Sequence, residues 1–341
     1  MRERISRFGD GSSERLHLQS TWLRERYGFR ALTEDQLEMV KEFLLAPDLI
    51  GEVPDRFFTD PRIKAVANAC GEAHGTDTRK ATCLPYELHT IAVGLHCGRL
   101  LPEGGLAERM GQYMRFNGII AQSEEHITSI AVRAVEGALA HDVVELRSQI
   151  KPLMSVEKFY SSMIACGVRP KAAQRVAKIS RFLMPHPKPT SLLNLHEKVM
   201  SALQHAPEPP YPPELQKLVQ RYEEKYLEYK ELEVLRIFGS RGNIRKRLPT
   251  EYVRNTPYSF YCKLIKAADI LSIVREVEWN VAAGREGQHM DREGKQGTHR
   301  SMIDNLINRV NLVVRYDQHN PYVPDLTAAA DRLITYRATL H

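Results

Sequence analysis

The stretch that decides the fold runs from Ser123 to Glu145 and reads SEEHITSIAVRAVEGALAHDVVE. The Ser123 hydroxyl can accept a hydrogen bond from a backbone N–H group of a first helical turn, so it marks an N-terminal cap. Apolar and small residues then recur at intervals of three and four, which is the spacing of one helix face. The pattern predicts a helix over about 123–148. Its buried face consists largely of small residues, which lets a neighbouring helix approach closely.

The same periodicity recurs along most of the chain and predicts an all-α, multi-helix globular protein. Leu88, Ile91 and Leu95 form a second apolar stripe on a helix of about 86–100, which a Pro-Glu-Gly-Gly run then ends. Further helices are predicted near 33–46, 61–71, 155–166, 171–183, 191–204, 213–238, 257–282, 299–315 and 325–340. Almost no segment alternates with the period of two that marks a strand, so the predicted fold class is all-α.

Composition and a proline-rich segment divide the chain into regions. Residues 1–30 are rich in Arg, Ser and Gly, which predicts an N-terminal arm. A helical domain is predicted over 31–205. The run APEPPYPP at 206–213 favours an extended, semi-rigid chain and predicts a joint. The remainder, 214–341, is predicted to be a C-terminal region of long helices, which must pack against 31–205 if a metal site joins the two.

Composition limits the classes of function. The 341 residues are 43% hydrophobic and 26% charged, which is ordinary for a globular protein and excludes global disorder. No uncharged stretch approaches the roughly 20 residues of a membrane-spanning helix, so no membrane partner is expected. Five cysteines without a C-x-x-C pair indicate a reducing compartment, the cytoplasm or else the mitochondrial matrix. The net charge of +6 permits a polyanionic partner.

A His-Asp pair near the end of the 123–148 helix is the sharpest chemical signal. His141 and Asp142 continue the buried stripe, and Glu145 follows one turn later on the same face. Three polar groups on a buried face need partners, and a divalent metal ion held by imidazole and carboxylate is one such partner. The alternative is a helix C-terminus that emerges into solvent, where a His-Asp pair is commonplace.

A second carboxylate interrupts an apolar stripe much later in the chain. The stretch YCKLIKAADILSIVREVEW over 261–279 has the period of a helix, and Asp269 has an isoleucine four residues before it and another four after it. The pattern predicts that Asp269 is partly buried. Its carboxylate either serves a site or pairs with Lys266 or Arg275 at the edge of the stripe.

The chain resembles the HD-domain metal-dependent phosphohydrolases, an all-helical superfamily. The resemblance rests on a histidine, a later His-Asp pair and a distant Asp within the run Lys-x-Ala-Asp-x-Leu. The resemblance is most evident for the 5′-nucleotidase-like members, in which His-Asp-x-x-Glu and a Lys-x-Ala-Asp-type helix both occur. It implies that His141 and Asp142 bind a divalent ion (Mn, Mg, Co, Fe or Zn), that Asp269 is the distal ligand, and that Glu145 helps to activate water. It also requires a histidine on an earlier helix, for which His89 is best placed.

The spacing leaves a second choice for that first histidine. His89 and His141 are 52 residues apart and Asp142 and Asp269 are 127 apart, so insertions are needed relative to a compact member. His126, in the run QSEEH, has surroundings more like those of the family's first helix. On one continuous helix, however, His126 and His141 would lie about 22 Å apart. If His126 is the first ligand, His141 and Asp142 therefore tend to be excluded from the same metal site.

A basic segment supplies a candidate binding site for phosphate. The run GSRGNIRKR at 239–247 combines glycines with Arg241, Arg245, Lys246 and Arg247, and guanidinium groups match phosphate oxygens in pairs. Together with the metal ligands, it favours a metal-dependent phosphohydrolase acting on a phosphomonoester or phosphodiester, such as a nucleotide. A solvated basic loop is the alternative interpretation of this run.

A non-enzymatic function is the second hypothesis. A helical, mildly basic chain with this segment could bind RNA or assemble within a larger ribonucleoprotein complex, through salt-sensitive contacts to phosphates. Tyrosines on both sides of the segment could stack on bases. Proximity of the four proposed metal ligands would favour the enzyme, whereas an exposed basic stripe would favour the RNA-binding protein.

Overall fold

Helices make up almost all of the regular structure, which confirms the all-α fold class. The computed structural model describes residues 47–74, 87–144, 146–148, 151–152, 154–184, 188–205, 211–239, 258–282 and 299–339. The predicted arm at 1–30, the predicted helix at 33–46 and most of the predicted joint, residues 206–210, lie outside these ranges.

The described elements follow one another along the chain, and short connections join most of them. The first group of helices is α1 (Pro47–Ile50), α2 (Arg56–Thr59), α3 (Pro61–His74), α4 (Glu87–Gly98), α5 (Ala107–Phe116) and α6 (Glu124–Leu139). The strands β1 (Leu146–Ser148) and β2 (Lys151–Pro152) then form a short antiparallel pair. The second group is α7 (Val156–Ala165), α8 (Pro170–Leu183), α9 (Thr190–Gln204), α10 (Pro213–Phe238), α11 (Ser259–Ala282), α12 (His299–Tyr316) and α13 (Val323–Thr339).

The helix that decides the fold begins where the sequence predicts and ends earlier. The Ser123 hydroxyl accepts a hydrogen bond from the His126 backbone N–H at 3.2 Å, so the predicted cap of α6 is present. The helix ends at Leu139 rather than near residue 148, and residues 141–144 form a turn. The predicted end was wrong because the chain tightens into a turn there: the Ala138 carbonyl oxygen accepts hydrogen bonds from the backbone N–H groups of Ala140 and His141, and His141 Nδ1 lies 2.7 Å from the same oxygen.

Helix α5 was missed by the sequence analysis. Helix α4 ends at Gly98, a few residues before the Pro-Glu-Gly-Gly run, and no helix was predicted between this run and Ser123. Within α5, Met110, Tyr113 and Met114 recur at intervals of three and one and are all buried. This spacing, together with the acidic Glu108 in the first turn, is the signal that could have revealed the helix.

Two glycines allow close packing around α6. A Cβ atom on Gly94 of α4 would lie 2.7 Å from Leu139 Cδ2, and a Cβ atom on Gly137 would lie 2.7 Å from Ile265 Cδ1. Helix α4 therefore packs against one side of α6, and α11 packs against another. The small-residue face predicted for α6 is the face that makes this approach possible.

The regions on the two sides of the predicted joint share one hydrophobic core. Ile130 and Val135 of α6 belong to the same cluster as Ile237 of α10, Ile265 of α11 and Val310 of α12. Helix α11 thus lies beside α4 and α6, although more than a hundred residues separate it from them in the chain. This packing brings the second half of the chain to the residues that the sequence analysis singled out.

The structure bears on two features that the composition suggested, the state of the cysteines and the presence of membrane-spanning helices. Cys70, Cys97, Cys166 and Cys262 are free thiols in this part of the chain. Among the helices described, none is long and apolar enough to cross a membrane.

A matched pair of glycine substitutions tests the packing of α6. Gly111→Ala in α5 places its methyl group in open space, so it should raise the free energy of unfolding by about 0.5–1 kcal/mol through helix propensity. Gly137→Ala gains the same propensity but crowds two isoleucines, and overpacking costs about 1–3 kcal/mol. Urea unfolding should therefore rank Gly137→Ala below Gly111→Ala. Equal stability of the two variants would contradict this packing.

Candidate metal centre

Three packed elements bring the predicted ligands to one place. Helix α4 presents His89, the turn after α6 presents His141 and Asp142, and α11 presents Asp269. The two histidines and Asp269 are buried, and the Asp142 side chain is 17% exposed. The site therefore has one ligand at its surface and three beneath it.

The four side chains lie close enough to interact directly. His89 Nε2 is 3.2 Å from Asp269 Oδ1 and 3.6 Å from Asp142 Oδ2. His141 Nε2 is 3.2 Å from Asp142 Oδ1 and 3.8 Å from Asp269 Oδ1. The two imidazole rings meet edge to face, with their centroids 5.3 Å apart. Both histidines thus direct the same ring nitrogen, Nε2, at the two carboxylates.

These spacings are compatible with one shared ion. Nitrogen and oxygen ligands at about 2.0–2.2 Å from an ion lie roughly 3.0–3.5 Å apart when they are adjacent. His89, His141 and Asp142 each offer a ligand atom within 4.8 Å of the others, and this group could hold a metal ion. Asp269 Oδ1 also faces both imidazoles, but this residue is not part of that group of three.

Helix α6 fixes the orientation of His141 at its C-terminal end. A carbonyl oxygen only accepts hydrogen bonds, so the 2.7 Å contact with Ala138 requires a proton on His141 Nδ1. In the neutral ring the lone pair then resides on Nε2, the atom that faces the carboxylates. Nε2 is buried and has no hydrogen-bond partner among the described residues. A backbone carbonyl that holds the other ring nitrogen is the usual support of a metal-binding histidine.

Two serines hold the surrounding backbone and ring. The buried Ser180 hydroxyl of α8 donates to the Ala140 carbonyl oxygen at 2.8 Å, which ties the turn to the neighbouring helix. On α11, the Ser272 hydroxyl lies 3.3 Å from His89 Nδ1. The histidine on α4 and the turn after α6 are therefore both positioned by helices distant in the sequence.

Asp269 divides its two oxygens between different partners. Oδ1 faces the two imidazoles, whereas Oδ2 lies 2.5 Å from Lys266 Nζ and 3.7 Å from Arg309 Nη2. The pairing with Lys266 that the sequence analysis weighed is thus present, and it coexists with the histidine contacts. A carboxylate held in this way keeps one oxygen directed at the ion site.

The charges in the site reinforce one another. Burial lowers the pKa of His141, but the negative charge of Asp142, whose Oδ1 lies 3.2 Å from Nε2, outweighs it, and the pKa rises from 6.5 to about 9. Burial likewise opposes ionisation of the two carboxylates. The charge of His141 lowers the pKa of Asp142, and Lys266 with the histidines holds the pKa of Asp269 well below its usual range. Without a metal ion, the His141 proton compensates the buried carboxylates.

No family model, no curated protein and no solved structure matches the chain. The function of the site therefore has to follow from its own geometry.

Other predicted site residues lie elsewhere or outside the described ranges. Glu145 directly follows the turn that holds His141 and Asp142, but it is not among the described residues. The same holds for the proposed phosphate-binding residues Arg241, Arg245, Lys246 and Arg247. His126, the second choice for the first histidine ligand, lies far from the site. It occupies the first turn of α6, at the opposite end of that helix from His141, and its Nδ1 accepts a hydrogen bond from the Gln122 backbone N–H at 3.4 Å.

The residues around the ligands were mostly missed. Arg309 and Ser180 carried no sequence signal, because their role depends on how α8 and α12 pack. Ser272 was visible only as one polar residue, three positions after Asp269 and in the same helix. Lys266 is the exception, because the sequence analysis named its pairing with Asp269, three positions later in the same helix, as one alternative.

The raised pKa of His141 predicts how the metal-free protein responds to pH. Since the folded-state pKa is about 9 and the ordinary value is 6.5, protonated His141 stabilises the fold fully below pH 6.5. This stabilisation is lost as the pH rises through 9. Urea unfolding in chelator should show a lower free energy of unfolding at about pH 9.5 than at about pH 6.5.

A substitution identifies the source of that pH dependence. Asp142→Asn removes the charge that raises the His141 pKa, so its loss of stability between the two pH values should be much smaller than in the wild type. Asp331→Asn, at an exposed position of α13, should keep the full loss. An unchanged pH dependence in Asp142→Asn would contradict the assignment.

Proposed function

We propose that this protein is a metal-dependent phosphohydrolase related to the HD-domain superfamily, with its ion held by His89, His141, Asp142 and Asp269. One observation carries the proposal. In a mostly buried site, Nε2 of each of two histidines lies 3.2–3.8 Å from an oxygen of Asp142 and from an oxygen of Asp269, although these residues come from three distant parts of the chain. These are the residues that the resemblance implies as ligands.

The chemistry of the donors supports a divalent ion. Two neutral imidazoles and two carboxylates form a mixed nitrogen and oxygen set, which suits Mn, Fe, Co or Zn better than the all-oxygen environment that Mg prefers. A bound divalent ion would supply a nucleophile at neutral pH by lowering the pKa of a water molecule, and it would polarise the phosphoryl oxygens.

The chain itself provides orientation and proton handling. The Ala138 carbonyl keeps the His141 lone pair on Nε2, and Lys266 keeps Asp269 ionised and oriented. Asp142 is the ligand that solvent reaches, so substrate would enter on its side. Glu145, three residues further along the chain, is proposed to relay the proton.

The proposed reaction balances without any oxidant or reductant. The bond between phosphorus and the ester oxygen breaks, water adds a hydroxyl group to phosphorus, and a proton goes to the leaving alcohol. The RNA-binding alternative stays a prediction, because the basic segment on which it depends lies outside the described residues.

Hydrolysis of simple phosphate esters tests the proposal. The protein is treated with chelator, reloaded separately with Mn²⁺, Co²⁺, Fe²⁺, Zn²⁺ or Mg²⁺, and assayed with p-nitrophenyl phosphate, bis(p-nitrophenyl) phosphate and nucleoside 5′-monophosphates. At least one ion should restore hydrolysis. Asp142→Asn should lower the rate by about a hundredfold or more, because loss even of a supporting group costs 10–100-fold.

A carboxylate outside the site provides the matched control. Asp304→Asn in α12 removes a carboxylate that pairs with Arg337 at the surface, and it should keep wild-type activity. Absence of hydrolysis with every ion and every ester, or an equal loss in both variants, would overturn the proposal. Salt-dependent binding to RNA would then be the next measurement.

A further inference from the structure

A group of three cations lies next to the proposed ion site, on helices that contribute only one of its ligands. Lys230 of α10, Lys266 of α11 and Arg309 of α12 form this group, which we call the cationic cluster. The three helices pack against one another, the charge of Arg309 acts on Lys230, and the charge of Lys266 acts on Glu233, which pairs with Lys230. Their side chains are 26%, 23% and 14% exposed. The cluster is therefore partly buried, and it is reached from solvent.

The cluster is joined to the ion site through one carboxylate. Asp269 Oδ1 faces the two histidines, while Oδ2 is 2.5 Å from Lys266 Nζ and 3.7 Å from Arg309 Nη2. A single carboxylate group thus separates the two cations from the position between the imidazoles. Lys266 and Arg309 are thus cations that contact a carboxylate of the proposed ion site directly.

These two cations have donors to spare. The Lys266 ammonium group carries three N–H donors, and one of them suffices for Asp269. Within the described part of the chain, Arg309 has its ion pair with Asp269 at 3.7 Å and makes no hydrogen bond. A planar guanidinium with free donors matches two oxygens of a phosphoryl group. Lys230 differs, because Glu233 pairs with it at 2.8 Å and Tyr229 donates to the same carboxylate at 2.9 Å.

A divalent ion would give the site and the cationic cluster together a net positive charge. The cationic cluster carries three positive charges, and three carboxylates contact it or lie beside it in the ion site: Glu233, Asp269 and Asp142. These charges cancel. With neutral imidazoles, a divalent ion would therefore leave a net charge of about +2 among these groups, which equals the charge of a phosphomonoester near neutral pH. A phosphodiester carries only one negative charge.

We propose that Lys266 and Arg309 bind the non-bridging oxygens of the substrate, and that the cationic cluster selects a doubly charged phosphomonoester over a phosphodiester. This inference rests on the proposed function, and it narrows the substrate class of the same site. It also assigns phosphate binding to helices α11 and α12, in addition to any role of the basic segment at 239–247.

Binding of inorganic phosphate tests the cluster without relying on catalysis. Calorimetric titration of the Mn²⁺-loaded protein with phosphate should give an affinity at least tenfold weaker in Lys266→Ala and in Arg309→Ala than in the wild type. Lys266→Arg and Arg309→Lys should recover part of this loss. Arg332→Ala is the matched control, because it removes an arginine that pairs with Glu278 away from the site. Its phosphate affinity should be that of the wild type.

Two ester substrates test the selectivity. The wild type should hydrolyse p-nitrophenyl phosphate with a higher kcat/KM than bis(p-nitrophenyl) phosphate. The Arg309→Ala variant should lose at least tenfold in kcat/KM for the monoester, and the diester value should change much less. Manganese content is measured in each variant, so that loss of a phosphate contact is separated from loss of the ion.

The outcomes separate this inference from the function on which it rests. Unchanged phosphate affinity in both alanine variants would overturn the inference even if the wild type hydrolyses esters. A wild-type preference for the diester, or a lowered manganese content that accounts for the whole effect, would overturn it as well. Failure of the wild type to hydrolyse either ester would overturn the proposed function, whereas the phosphate titration would still decide whether the cluster binds phosphate.

Discussion

Burying the Asp269 carboxylate between two imidazoles and two cations constrains the arrangement of the surrounding helices. A buried carboxylate is costly unless opposite charges and hydrogen-bond donors surround it. Here His89 comes from α4, His141 from the turn after α6, Lys266 from α11 itself and Arg309 from α12. The helices that carry these groups must therefore meet at one point, and Gly94 and Gly137 supply the space for that approach.

The helical part of the fold could largely be predicted from the sequence, because each helix carries its own apolar stripe and its own end signals. The bounds predicted for α8 and α10, for example, agree with those observed to within one residue. The end of α6 could not be predicted. The turn that ends it is held by the hydroxyl of Ser180 in α8, and this contact forms only after the helices have packed.

The same distinction applies to the site. The ligand candidates were visible because a histidine or carboxylate within an apolar stripe is unusual, and the resemblance linked four such residues across the chain. Their supporting groups were not visible, since the positions of Arg309 and Ser180 depend on tertiary structure. The prediction that His141 and Asp142 continue a helix was wrong, yet both reach the site, because the turn after α6 directs them towards α4 and α11.

The central claim is that these side chains form one ion site, and a manganese titration followed by electron paramagnetic resonance tests it most directly. The account predicts about one tightly bound Mn²⁺ per wild-type chain and an affinity at least tenfold weaker in His89→Gln. His96→Gln is the matched control, because this buried histidine lies on the same helix and its ring nitrogens make no hydrogen bond to the proposed ligands among the described residues. It should bind Mn²⁺ like the wild type. Absence of tight binding in the wild type, or equal weakening in both variants, would contradict the account.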